Sequence, residues 1–168
     1  VNYPADMTNV GEKIITVSGK HGGSVTVTYT IEKAVPPVIT FPEVLNSITY
    51  GQMLEDAKLS FYENEYGTFN WTAPIGVPNA GTNGYALDFY PEDLTNYDWA
   101  ACNWQTHNAT WIESRSALCA MGQVQVDKAE PVYTAPTAIE GLVYTGSSQE
   151  LISVSEVQVE GGELLLSR

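Results

Sequence analysis

Long apolar runs are missing from this chain of 168 residues. None approaches the about 20 residues that a membrane-spanning helix needs, so membrane insertion by such a helix is not expected. Cysteine is nearly absent as well. Cys102 and Cys119 are the only two, too few for a disulfide scaffold and not spaced as a metal motif. Positive charge is scarce: seven Lys and Arg stand against twenty Asp and Glu, giving a formal net charge of −13. Such a surface repels phosphate backbones, which argues against nucleic acid and anionic membranes as partners. Histidine is rare too, and neither copy has a nucleophile or a second metal ligand at a recognised spacing. His21 lies beside Gly22-Gly23 in an expected turn and His107 in an irregular stretch, and both read as plain surface histidines. No Asp-x-Asp-x-Asp-Gly calcium loop occurs. The adjacent pairs Glu55-Asp56 and Glu92-Asp93 would point to opposite faces of a strand, and read as turn caps rather than as an acid/base pair. The chain carries no catalytic signature and implies no cofactor or metal.

What is present is β text. Residues 13–17 read as a strand, closed by Ser18-Gly19 and the turn-rich His21-Gly22-Gly23. Val25, Val27, Tyr29 and Ile31 then alternate with Thr26, Thr28 and Thr30, which predicts a strand with one face on a core and a threonine face in water. Lys33-Ala34-Val35-Pro36-Pro37 reads as a stiff linker, because Pro-Pro cannot continue a ladder. Residues 38–41 and 47–50 look like strands, and residues 52–59 like one or two helical turns. Phe69 and Trp71 share one strand face, and Pro74, Gly76 and Pro78 mark a loop. Tyr85, Leu87 and Phe89 alternate with Ala86 and Asp88 in another strand, and Val124 and Val126 close the unit.

The text also repeats. Lys33-Ala34 returns 95 residues later as Lys128-Ala129, Tyr50-Gly51-Gln52 is echoed at Tyr144-Thr145-Gly146, and Asn9-Val10-Gly11 mirrors Asn79-Ala80-Gly81. Matches in order predict a tandem repeat. The expected division is residues 1–34 as the C-terminal part of one β repeat, 35–129 as a complete repeat, and 130–168 as the start of a third. The sequence begins and ends in mid-pattern, as a piece of a longer chain would. The expected fold is all-β, with Ig-like β-sandwich modules; a β-grasp-like module using 52–59 as its short helix is the alternative.

Tyr50-Gly51-Gln52, Phe69-Asn70-Trp71, Asn79-Ala80-Gly81 and Pro91-Glu92-Asp93-Leu94-Thr95-Asn96-Tyr97 resemble the YGX-type MBG repeat found in tandem in large Gram-positive bacterial surface proteins. Residues 1–34 and 130–168 are similar to related bacterial Ig-like repeats, and residues 99–122 depart from the pattern. The resemblance implies a secreted or cell-wall-associated protein whose repeats act as stalk, spacer or adhesin segments. It supplies no catalytic residues. Neighbouring repeats, and host or cell-wall glycans or proteins, are the partners it implies. It also brings a Lys–Asn isopeptide crosslink into view, for which the core strands offer no obvious buried lysine.

Residues 98–122 are the most individual stretch, without clear alternation and with three of the four tryptophans. Tyr97, Trp99, Trp104 and Trp111 are a candidate glycan platform, because indole faces suit the apolar faces of sugar rings. The competing reading is core filling. Cys102 and Cys119 would close a loop of about 18 residues, and a bridge there would add about 3 kcal/mol by restricting the unfolded chain. Two free buried thiols, or one reactive loop thiol, are the alternatives.

Overall fold

The structure, a computed structural model, describes residues 1–133, 136–153 and 157–158. Strand makes up 38% and helix 9%, so the all-β expectation holds. Strands β1 (Gly11–Ser18) and β2 (Ser24–Ile31) form the expected antiparallel hairpin, with Gly11 opposite Ile31 and Val17 opposite Val25. Its apolar face is open. Val17, Val25, Val27 and Tyr29 remain exposed, because apart from a bridge between Asn2 and Thr16 no other described strand joins this sheet. On the same face Lys13 is buried and its Nζ pairs with Asp6 Oδ2 at 2.8 Å, so one strand does carry a buried lysine, paired with an aspartate.

The central sheet contains β3 (Ile48–Thr49), β4 (Glu63–Asn64), β5 (Gly67–Trp71), β6 (Gly81–Pro91), β7 (Thr110–Ile112) and β8 (Ala117–Asp127). Its order is β3-β8-β6-β5-β4, with β7 also on β8, and all pairs are antiparallel except β3 with β8. Alternation places Phe69 and Trp71 of β5, Leu87 and Phe89 of β6, and Leu118, Val124 and Val126 of β8 in one core. Residues 39–59 cover that face, contributing Ile39, Leu54, Ala57 and Leu59. Phe69 anchors the middle, edge-on to Phe41 and Phe61, each at 5.4 Å between ring centres.

Two expected elements are looser than their text. Residues 38–41 form no strand, since Pro37 and Pro42 bracket them without backbone donors; Ile39 inserts while Val38 stays exposed. Residues 52–59 hold only a single 3₁₀ turn at Leu54–Asp56, which ends where Ala57 turns extended (φ −74°, ψ 98°); the free N–H groups of Leu54 and Glu55 at its start donate to the carbonyls of Gly76 (2.8 Å) and Pro74 (2.9 Å). The one α-helix among the described residues, α1 (Trp104–His107), lies elsewhere.

Beyond β8, β9 (Val132–Tyr133) pairs with β10 (Val157–Gln158), and Ala138 bridges Ile152. The apolar run Leu164-Leu165-Leu166, which reads as a strand of the third repeat, lies outside the described residues. Residues 137–153 repeat the hydrogen bonds that tie the two ends of residues 43–60 together. Glu43 N donates to Ser60 Oγ at 3.0 Å, and Thr137 N to Ser153 Oγ at 2.9 Å. Leu45 N donates to the Lys58 carbonyl and Ser60 N to that of Glu43; Ile139 N donates to Leu151 and Ser153 N to Thr137 in the same way. At the other end, Gly11 and Gly81 share φ +122°, a left-handed value that glycine adopts without strain, each starting a strand and facing Ile31 or Val126 two residues before Lys-Ala.

Candidate functional site

Residues 98–116 leave the sheet as a run of short turns. A 3₁₀ turn at Trp99–Ala101 is followed by α1, whose N-cap Asn103 accepts from Gln105 N at 3.1 Å and Thr106 N at 3.3 Å. Asn108, left-handed at φ 52°, ends α1 and releases the chain into β7. The four candidate platform residues separate here. Trp99 is buried in the core, with Nε1 donating to the Asp93 carbonyl at 2.8 Å and its ring 5.8 Å from both Phe89 and Tyr97. Trp111 is half-buried and donates through Nε1 to Glu113 Oε2 at 2.6 Å. Tyr97, Trp99 and Trp111 line one cavity of about 230 Å³ together with Lys33, Asp98 and Glu113. Trp104 is not among its walls and stands 54% exposed on α1. The cavity falls below the range of about 300–1,000 Å³ usual for small-molecule sites. A wider cleft of about 420 Å³ is lined by Glu55, Asp56, Lys58, Tyr62, Asn70 and Trp71.

The histidines part company. His21 is exposed, as expected, but His107 is buried at the end of α1, its Nδ1 2.6 Å from Thr106 Oγ1. Both cysteines are free, so the expected bridge between them is not formed. Cys102 closes the 99–101 turn, whereas Cys119 sits in β8 opposite Asp88. Burial, then the Asp98 charge, pushes the Cys102 thiol up to about 11; burial and the neighbouring Asp88 raise Cys119. Neither thiol is set up as a nucleophile at neutral pH.

Sequence reasoning missed a charged pair on the opposite face of β6. Asp88 is fully buried; Arg115, on the 3₁₀ turn Glu113–Arg115 between β7 and β8, folds back to it. Nη2 donates to Oδ1 at 2.9 Å, while Nε lies 2.8 Å from Oδ2 off the line of a hydrogen bond, so that second contact is ionic. Tyr90 donates weakly to Asp88 Oδ2 at 3.4 Å; burial first, and then the Asp88 charge, raises its phenol. The only hint in sequence was a lone acid between Leu87 and Phe89.

Also missed was a joint at residues 93–97. Asp93 Oδ1 accepts from Thr95 N at 3.0 Å and Asn96 N at 2.8 Å, the turn-capping role expected of it. The Asn96 N–H, followed by the Asn96 amide, holds its carboxyl below the usual carboxylate range. Asn96 then reaches across to the hairpin. Its Oδ1 accepts from Val10 N at 2.9 Å, and its Nδ2 donates to Asn9 Oδ1 at 3.2 Å and Asp93 Oδ2 at 2.8 Å. Lys33 Nζ donates to the Leu94 carbonyl at 2.9 Å, and Ala34 N to that of Asn96 at 2.8 Å. Among the described residues, no cluster of three or more His, Cys, Asp or Glu could hold a metal, and no helix is long and apolar enough to cross a membrane. No family model, curated protein or solved structure matches the chain.

Proposed function

We propose that the chain is a non-catalytic segment of a secreted or cell-wall-associated bacterial surface protein, built of Ig-like β-sandwich repeats and acting as a spacer or adhesin stalk. On this reading residues 35–129 are one repeat, 1–34 the end of the repeat before it and 130–168 the start of the next. The joint at Asn96 is the observation that carries it. A spacer must hold successive units in a fixed direction, and here the linker is clamped to the next unit by side chain and backbone together rather than left as free coil. The recurring contacts at 43–60 and 137–153, and the matched glycines at 11 and 81, support the tandem division.

Asn96→Ala tests it. The substitution removes three side-chain hydrogen bonds, worth about 1 kcal/mol each, from the joint while leaving the core untouched. Amide ¹⁵N relaxation on the monomeric fraction is expected to show residues 11–31 tumbling with the central sheet in the parent and faster in the variant. Independent tumbling already in the parent would remove the spacer reading. Binding of carbohydrate or mucin through residues 97–111 is the second reading, favoured by the cavity that gathers Tyr97, Trp99 and Trp111.

A further inference from the structure

The cavity beside Trp111 offers a guest aromatic surface and negative charge together. The rings of Tyr97 and Trp99 stand 5.8 Å apart at 54°, forming a corner, and Trp111 shares the wall. Trp99, only 3% exposed, serves as the floor. Neither indole has a donor to give. Trp99 Nε1 is committed to the Asp93 carbonyl at 2.8 Å, and Trp111 Nε1 to Glu113 Oε2 at 2.6 Å. What these side chains present is ring surface, and the face of an aromatic ring is negative.

Two carboxylates complete the wall, those of Asp98 and Glu113, both on exposed residues. The single opposing charge is Lys33, whose Nζ is occupied by the Leu94 carbonyl at 2.9 Å. Every other wall residue lies within residues 94–116. Lys33 is fixed beside them by a parallel bridge, in which Ala34 N donates to the Asn96 carbonyl at 2.8 Å and Asp98 N to the Ala34 carbonyl at 2.9 Å. The cavity is therefore a product of the central unit and the linker entering it.

Its volume of about 230 Å³ suits one compact headgroup better than a larger ligand. A primary ammonium would bring three N–H donors that need acceptors once withdrawn from water, and ring faces supply none. A quaternary ammonium carries no donor. It turns methyl groups towards the rings and spreads its charge over them, which is the geometry of a cation–π cage.

We propose that this cavity binds a quaternary ammonium group, enclosed by Tyr97, Trp99 and Trp111 and matched in charge by Asp98 and Glu113. The proposal shares its cavity with the carbohydrate reading but names a different guest, and it is independent of the spacer reading.

Titration of the whole chain with choline at constant ionic strength, followed through the ¹H–¹⁵N resonances of the indole N–H groups, tests it. The Trp99 and Trp111 resonances are expected to shift together and saturate, while those of Trp71 and Trp104, which are not in the wall, stay in place. The neutral carbon isostere of choline, with a tert-butyl group in place of trimethylammonium, should bind about fivefold more weakly or worse. Asp98→Asn and Glu113→Gln should each weaken choline by about two- to fivefold. Both substitutions spare the fold: Asp98 opens the Trp99–Ala101 turn without a side-chain cap bond, and glutamine keeps an oxygen for Trp111 Nε1. Absence of a saturable shift at Trp99 and Trp111, equal shifts at all four indoles, an isostere that binds as tightly as choline, or unchanged affinity in both variants would each overturn the proposal. Retention on mucin and tumbling of the hairpin are separate measurements, so failure here is distinct from failure of either earlier reading.

Discussion

Arg115→Ala isolates what the Asp88 pair contributes. The substitution leaves a carboxylate with no exposed surface, facing only the distant Tyr90 hydroxyl and the weakly donating Cys119 thiol. Stranding a fully buried charge costs about 3–5 kcal/mol, but the Arg115 side chain is 33% exposed and water already screens part of the pair, so about 2–3 kcal/mol is expected at pH 7. Urea unfolding followed by tryptophan fluorescence, with the slope held common, measures the difference at pH 7. A loss under about 0.5 kcal/mol would refute the reasoning. The neutral double variant Asp88→Asn/Arg115→Met should recover most of the loss, because it strands no charge.

Gly67→Ala should cost about 3 kcal/mol or more in the same assay, since a Cβ there would sit 2.1 Å from the Tyr90 carbonyl oxygen, backbone that cannot yield without opening the β5–β6 ladder; a variant as stable as the parent would contradict that packing. Trp104→Ala and Trp111→Ala should leave retention on immobilised mucin or polysaccharide unchanged under the spacer reading, with Trp104→Ala within about 0.5 kcal/mol of the parent. Loss of retention in a variant that still unfolds cooperatively would establish the glycan-binding reading instead.

The hairpin, β5, β6 and the Val124–Val126 end of β8 were legible because Val/Thr and aromatic alternation fixes both element and face, whereas residues 117–122 of β8 lay inside the stretch without clear alternation. Asp88 shows the limit of that rule. Period two sends it away from the core, yet the turn carrying Arg115 doubles back over the outer face and buries it there, a tertiary event that no local pattern encodes. Residues 38–41 misled for the opposite reason: Val38, Ile39 and Phe41 have strand composition, and the flanking prolines decide the outcome. In residues 98–112 each turn is too short to show a period, and only Asn103 and Asn108, which cap α1 at either end, marked where it would start and stop. The joint at Asn96 was invisible because its hydrogen bonds span 86 and 87 residues of sequence.

The parallel pairing of β3 with β8 decides how the central sheet would carry a pull. The chain reaches this sheet at Ala34, held beside Asn96 and Tyr97 near the Pro91 end of β6, and leaves at Asp127, beside its Gly81 end. Entry and exit are thus separated by a ladder of nine register pairs, about 30 Å at roughly 3.4 Å per residue. Tension applied at those two points drags β3 and β8 in opposite senses along their common direction. Their hydrogen bonds are then strained together in shear instead of being peeled apart singly, and the first event under load would be a sliding of Ile48 past Val126.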